Sequence, residues 1–278
     1  KELLFEDQIL RMENKKITEF VHVDESNEEK ISTKITIQSF ENDIEEIDIP
    51  KGIINFLNAK TGKRQPYLTK NRYSVSDLVH CQRKSLYKQL GIKQEQLVQE
   101  SIEQMWSTVR GNFLHQMTNA YDWNELEMQY KVNLKDGKQA TLHGRLDMYD
   151  WKTKTIMDLK SVPNLRHQVK HGFIPKLQHI LQVQCYGTMF ESYIPIENLN
   201  LVYVDNTDIV TYKIQKKDMS DWIKTRIQQI ENACESKQII DGEQSGLCQF
   251  CKYQTKCFTD GNGINHTPLS VPKGGRIN

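Results

Sequence analysis

The sequence predicts an α/β domain built on a mixed sheet. Three observations predict it. Helical and strand patterns alternate along most of the chain, in the order helix, helix, three strands, helix, two strands, helix. The stretch "LEMQYKVNLKDGKQATLHGRLDMYDWKTKTIMDLKSV" alternates with period two around two turn signals, "KDGK" and "DWKTKT". The segments "KLQHILQVQCYGTMF" and "SDWIKTRIQQIENACES" carry apolar residues at helical spacing instead.

Each element follows from its local signals. The first 50 residues hold "KITEFVHV" and "ISTKITIQSF", alternating runs separated by the turn "DESNEEK", and read as a small β-rich extension. Residues 51–72, ending in "AKTGKRQPYLTKNR", read as a basic connector. A helix is expected across "YSVSDLVHCQRKSLYKQLG", with Ser76 as N-cap, Leu78, Leu86 and Leu90 as a buried stripe and Gly91 as the stop. A second helix covers "SIEQMWSTVRGNFLHQMTNAY". The alternating stretch then forms a three-stranded antiparallel meander. The helix through Gln182 and Tyr186 follows, then strands at "LNLVYVD" and "DIVTYKIQ", and a last helix capped by Ser220. The expected organisation is 1–72 extension and connector, 73–260 main domain, and 261–278 a Pro- and Gly-containing tail.

Charge is uneven along the chain. The first 50 residues hold 14 acidic against 6 basic side chains, whereas the remainder holds 31 basic against 22 acidic. A basic body suits a phosphate-bearing partner, although ordinary solvated faces give the same count. No run of about 18 apolar residues is present, so no transmembrane helix is expected. The first ten residues show no signal-peptide pattern, and a cytoplasmic location is the expectation. The six cysteines are then thiols or metal ligands rather than disulfides.

The meander concentrates chemistry. A hairpin centred between Lys152 and Thr153 places Asp147 opposite Asp158, and Lys160 falls on the same face as Asp158. Leu146, Met148, Met157 and Leu159 are expected to point the other way, into apolar packing. Two facing carboxylates repel unless a proton or cation lies between them. A hard divalent ion, Mg²⁺ or Mn²⁺, takes carboxylate oxygens and keeps several waters. A lysine beside such water is suited to phosphodiester hydrolysis. A weak surface patch of ion pairs is the other reading of the same residues.

Near the C-terminus, "CQFCKYQTKC" sets Cys248, Cys251 and Cys257 in a C-x2-C-x5-C spacing. A fourth ligand is missing locally, and Cys81 supplies it if the two parts of the chain meet. The spacing admits zinc and an iron–sulfur cluster equally. Cys185 and Cys234 lie within helical apolar patterns and read as core residues.

Taken in order, "GNFLH" with Gly111 and His115, "GRLD" with Asp147, "DLK" with Asp158 and Lys160, and "QVQCY" with Gln182 and Tyr186 resemble the RecB-like branch of the PD-(D/E)XK nucleases. The split cysteine set is similar to that of the iron–sulfur nucleases of this branch, above all the CRISPR-associated RecB-like exonucleases. Exonuclease V and helicase-linked nucleases share a similar layout. The resemblance spans about Tyr73 to Phe258 and implies a PD-(D/E)XK core, with a helical iron–sulfur region added.

It also implies roles. His115, Asp147, Asp158 and the Leu159 carbonyl would hold Mn²⁺ or Mg²⁺, and Lys160 would activate water. Cys81, Cys248, Cys251 and Cys257 would hold a [4Fe–4S] cluster as a staple. Gln182 and Tyr186 would contact DNA or support Lys160, and Arg110, Arg145 and Arg166 are candidate phosphate contacts. The expected activity is a metal-dependent exonuclease on single-stranded DNA ends or overhangs, in CRISPR spacer acquisition. Repair or replication is the alternative setting, and a CRISPR integrase or a helicase the expected protein partner. A DNA-end-binding subunit with little catalysis and a zinc-stapled binding module are the competing classes. The acidic extension departs from the compact family pattern.

Overall fold

The computed structural model describes residues 49–61, 70–94, 102–135, 137–243, 245, 247–248 and 251–261. The expected strands of the first 50 residues and the tail from 262 onward lie outside the described residues. Backbone contacts separate Lys1–Ile49 from Pro50–Asn278, and the description concerns the second unit.

The described helices are α1 (Lys51–Lys60), α2 (Val75–Val79), α3 (Gln82–Gln89), α4 (Ile102–His115), α5 (Leu165–Lys170), α6 (Leu177–Phe190), α7 (Ser220–Ser236) and α8 (Gln254–Thr259). The strands are β1 (Arg72–Ser74), β2 (Trp123–Asn133), β3 (Gln139–Asp150), β4 (Thr155–Ser161), β5 (Asn198–Val204) and β6 (Ile209–Ile214). A short 3₁₀ turn, Gln116–Ala120, joins α4 to β2.

All six strands form one mixed sheet centred on β3. One edge of β3 carries β2, antiparallel along nearly its whole length. The other edge is shared. β1 pairs in parallel with Thr141–His143, and β4 pairs antiparallel with only Met148, Tyr149 and Asp150. The sheet continues through β5, parallel to β4, and β6, antiparallel to β5. The expected meander and its register therefore hold, since Met148↔Met157 and Asp150↔Thr155 follow the hairpin centred at Lys152–Thr153. Beyond Met148 the two strands part, and that opening holds the site.

The main core runs between the sheet and α2, α6 and α7. It contains Leu78, Leu142, Leu146, Tyr149, Ile156, Val183, Leu201, Tyr203, Ile223 and Ile227. A smaller cluster joins Met148, Leu159 and Val204, with Leu114, Tyr121 and Met157 packed against it. Leu146 was expected beside Met148 and Leu159, but it belongs to the main core. The alternation along β3 breaks at Asp147, which lies between them.

Several local expectations are revised. The helix expected from Ser76 is two short helices, α2 and α3, broken at His80–Cys81. Ser74, not Ser76, caps the first. Its hydroxyl accepts from the Asp77 N–H, and the Asp77 carboxylate accepts from the Ser74 N–H. Gly91 does end the unit, at φ +68°. Leu90 is 37 % exposed and is not part of the buried stripe. The basic connector contains α1, whose Leu57 packs with Met105 and Val109 of α4. α7 begins at Ser220, but the local carboxylate is Asp218, which accepts from both the N–H and the hydroxyl of Ser220.

Candidate metal centre and cysteine site

The opening between β3 and β4 is made by a side chain replacing the ladder. Asp147 Oδ2 accepts the Leu159 N–H at 2.8 Å, where a β3 carbonyl would otherwise pair. Asp158 lies on the neighbouring strand and is 1 % exposed; Asp147 is 8 % exposed. Lys160 Nζ forms an ion pair with the buried Asp158 Oδ2 at 2.6 Å, and among the described residues it is the one group paired with that oxygen. Burial pushes the Asp158 carboxyl above the usual carboxylate range. The Lys160 ammonium opposes that rise and the Asp147 charge adds to it.

α4 delivers His115 to the same place. Its Nδ1 stands 3.9 Å from Asp147 Oδ1. Gly111, one turn earlier, faces Ser161 on β4, where an added Cβ would just touch. A third ligand comes from β2, and the sequence reading missed it. One ligand atom each of His115, Glu125 and Asp147 lies within 4.8 Å of the others. Glu125 has φ +49°, unusual for a residue with a Cβ, and the β2–β3 register passes over it between Asn124 and Leu126. Its carboxylate also pairs with Arg145 at 2.7 Å. The local signal pointed elsewhere: a two-residue turn centred in "KDGK" would set Glu125 across from Met148, whereas the observed register sets it level with Asp147.

The donor set fits a hard divalent cation. It offers an imidazole and two carboxylates close together, with a further buried carboxylate alongside. Asp158 is not in the tight triple; Lys160 holds it.

Around the lysine, two imidazoles are kept neutral. Burial, with the Lys160 and Lys176 charges, lowers His179 to about 3, and its Nδ1 meets the Tyr203 hydroxyl at 2.8 Å. Burial, then the charges of Lys84 and Lys160, lowers His80 as well. Gln182 donates to the Tyr186 hydroxyl at 2.9 Å, one turn apart on α6. Tyr186 is buried and feels the Asp158 charge, so the pair borders the acids. Its ring reaches β3 because residue 144 is glycine: a Cβ there would come within 3.2 Å of Tyr186 Cε1 and 2.8 Å of Met189 Cε.

The three arginines differ. Arg166 pairs with Asp208, and Arg145 is taken by Glu125. The Arg110 Nε is buried with no hydrogen-bond partner among the described residues.

The segments that carry the cysteines at both ends of the domain are in contact, although among the described residues no three of the cysteine sulfurs lie within 4.8 Å of one another. Cys81 precedes α3 as its N-cap residue. The buried Arg83 guanidinium donates to the Ile240 carbonyl at 2.7 Å and to the Cys257 carbonyl and Sγ at 3.3 and 3.4 Å. The Glu243 N–H points at Cys81 Sγ and the Ser245 N–H at Cys248 Sγ, both at 3.4 Å. Cys251 lies within electrostatic reach of Cys81 and Cys248. All six cysteines are free. Cys185 is fully buried, as expected of a core residue.

A mixed sheet that opens at its centre to gather three acids, a histidine and a lysine defines a metal-dependent hydrolase of the nuclease type. The particular family follows from the chain itself: residues 68–258 match the PD-(D/E)XK nuclease superfamily, and the protein belongs to it. Membership implies a metal-dependent nuclease that uses divalent ions such as Mg²⁺ or Mn²⁺, with DNA as substrate. Among solved structures, the crystal structure of SSO0001 is similar in fold. It is 21 % identical, with a TM-score of 0.50, over 74 % of this chain and 93 % of that one. No curated protein matches by sequence. No helix among the described residues is long and apolar enough to cross a membrane.

Proposed function

We propose that the protein is a metal-dependent exonuclease acting on single-stranded DNA ends. The observation that carries this is the buried Asp158 carboxylate paired with Lys160, next to the His115–Glu125–Asp147 triple. A divalent ion bound there would lower the pKa of a bound water and neutralise charge on the phosphate. His115, Asp147, Asp158 and the Leu159 carbonyl would hold it, and Glu125 joins them. The Asp147–Leu159 hydrogen bond fixes the first acid relative to β4. Lys160 orients the attacking water and stabilises the charge that develops on the phosphate. Gln182 and Tyr186 support the lysine from α6.

Cys81, Cys248, Cys251 and Cys257 hold a [4Fe–4S] cluster in this reading. The donor set supports it: four sulfurs in a one-plus-three arrangement, with N–H groups directed at Cys81, Cys248 and Cys257. The cluster fastens α3 to the C-terminal segment and takes no part in hydrolysis. The setting is CRISPR spacer acquisition alongside integrase proteins, in the cytoplasm. Repair or replication beside a helicase is the alternative, and genomic neighbourhood separates the two.

Labelled single-stranded DNA incubated with Mn²⁺ is expected to shorten from an end, and Lys160→Ala is expected to slow this about 100-fold or more while leaving the fold intact. Equal rates for parent and variant would remove the lysine's role. If neither degrades the strand, the DNA-end-binding class is left. The purified protein is expected to be brown, with iron and acid-labile sulfide. Stoichiometric zinc without sulfide would replace the cluster by a zinc staple.

A further inference from the structure

We propose that Trp123 and Trp151 form a stacking platform for an unpaired base next to the bond cleaved, so that the site selects single-stranded DNA. This rests on the nuclease reading above and specifies how its substrate is chosen.

Trp123 opens β2 and lies directly across from Tyr149 on β3. Trp151 follows in the turn to β4. The three rings form one group: Trp123–Trp151 centroids are 5.3 Å apart, Trp123–Tyr149 5.8 Å and Tyr149–Trp151 5.9 Å. Tyr149 is buried, and its hydroxyl donates to the Pro195 carbonyl at 2.6 Å, so it is a fixed footing. The two indoles remain 40 % and 55 % exposed. The turn that carries Trp151 is braced. Asp150 accepts from the Lys152 N–H at 2.9 Å and from the Thr153 hydroxyl at 2.7 Å.

Position gives the platform its meaning. Glu125 lies two residues after Trp123, and Asp147 two residues before Tyr149. Two residues along a strand span about 7 Å. The exposed indoles are therefore neighbours of the metal-ligand carboxylates on the same two strands. A partner protein seated on them would crowd the opening that the substrate needs. A nucleobase attached to a phosphate at the metal centre can reach them. Every base offers a flat face to an indole, so such a contact is tolerant of sequence. In a duplex those faces are already stacked, which favours an unpaired strand.

The test uses the full chain with Ca²⁺ in place of Mn²⁺, and two labelled single strands of equal length, one of thymidines and one abasic. Fluorescence anisotropy is expected to show the thymidine strand binding about tenfold more tightly. Trp151→Ala and Trp123→Ala should each lower that preference and leave abasic binding unchanged, and Trp151→Phe should keep most of it. Equal binding of the two strands by the parent, no binding of either, or a preference that survives both alanine changes would overturn the platform. Cleavage in Mn²⁺ is read separately. A parent that prefers the thymidine strand but never cuts it would sink the nuclease reading and support the platform.

Discussion

Glu125 shows how one residue can set stability against function. Its left-handed backbone costs about 1–3 kcal/mol, and its exposed pairing with Arg145 returns little of this. What it gains is a carboxylate turned toward His115 and Asp147. Glu125→Gly should therefore raise stability by about 1 kcal/mol in denaturant unfolding, while Mn²⁺ titration of cleavage shifts about tenfold or more upward. A variant that is less stable and needs no more metal would show that the residue is neither strained nor a ligand. Asp158 is the converse case. Its carboxylate is buried, and burying a charge is costly unless it is paired, as Lys160 pairs it here.

At the scale of elements, the decisive feature is the close approach of α6 to β3 over Gly144. The Met189 tip can swing aside from an added Cβ, but the Tyr186 ring, held by Gln182, has less freedom. Gly144→Ala is expected to destabilise by about 1–3 kcal/mol and to slow cleavage by displacing Tyr186. Adding Met189→Ala should recover part of the stability, and a double-mutant cycle measures that coupling. Strict additivity would mean that the two side chains do not meet. The same paragraph of chain explains why β3 pairs so briefly with β4: Asp147 takes the Leu159 N–H and ends the ladder where the site begins.

Across the whole molecule, the two ends of the domain are joined by buried polar bonds. Arg226 of α7 donates to the carbonyls of Leu78 at 3.0 Å and His80 at 2.9 Å, and pairs with Glu243 at 2.6 Å. Glu243 in turn directs its N–H at Cys81 Sγ. Arg226→Met would leave two carbonyls and a carboxylate without their donor, at a cost of about 3–5 kcal/mol. If the cysteines hold the proposed iron–sulfur cluster, iron content of the purified variant should fall with it, because the Glu243 segment loses its anchor beside Cys81. Full stability with unchanged iron would separate this network from the cysteine site.

The sequence by itself determined the meander, its register at the β3–β4 turn, and the helix that carries Gln182 and Tyr186; the expected pairing of Asp147 with Asp158 is not made, because the ladder ends at Met148 and Asp147 turns to the Leu159 N–H. Period-two and 3.6-residue patterns and turn residues are local properties, and the motifs are short. The sequence does not say that the segment carrying Cys81 and the one carrying Cys257 lie side by side; that depends on Arg83 of α3, which donates to Cys257. Only the tertiary structure decided that Glu125 lies beside His115 and Asp147, that Leu146 lies in the main core, and that the helix after β1 breaks at Cys81. Those outcomes depend on a positive φ, on a side chain replacing a ladder bond, and on packing between distant segments. None of these is a periodic property of the chain, so no local pattern could announce them.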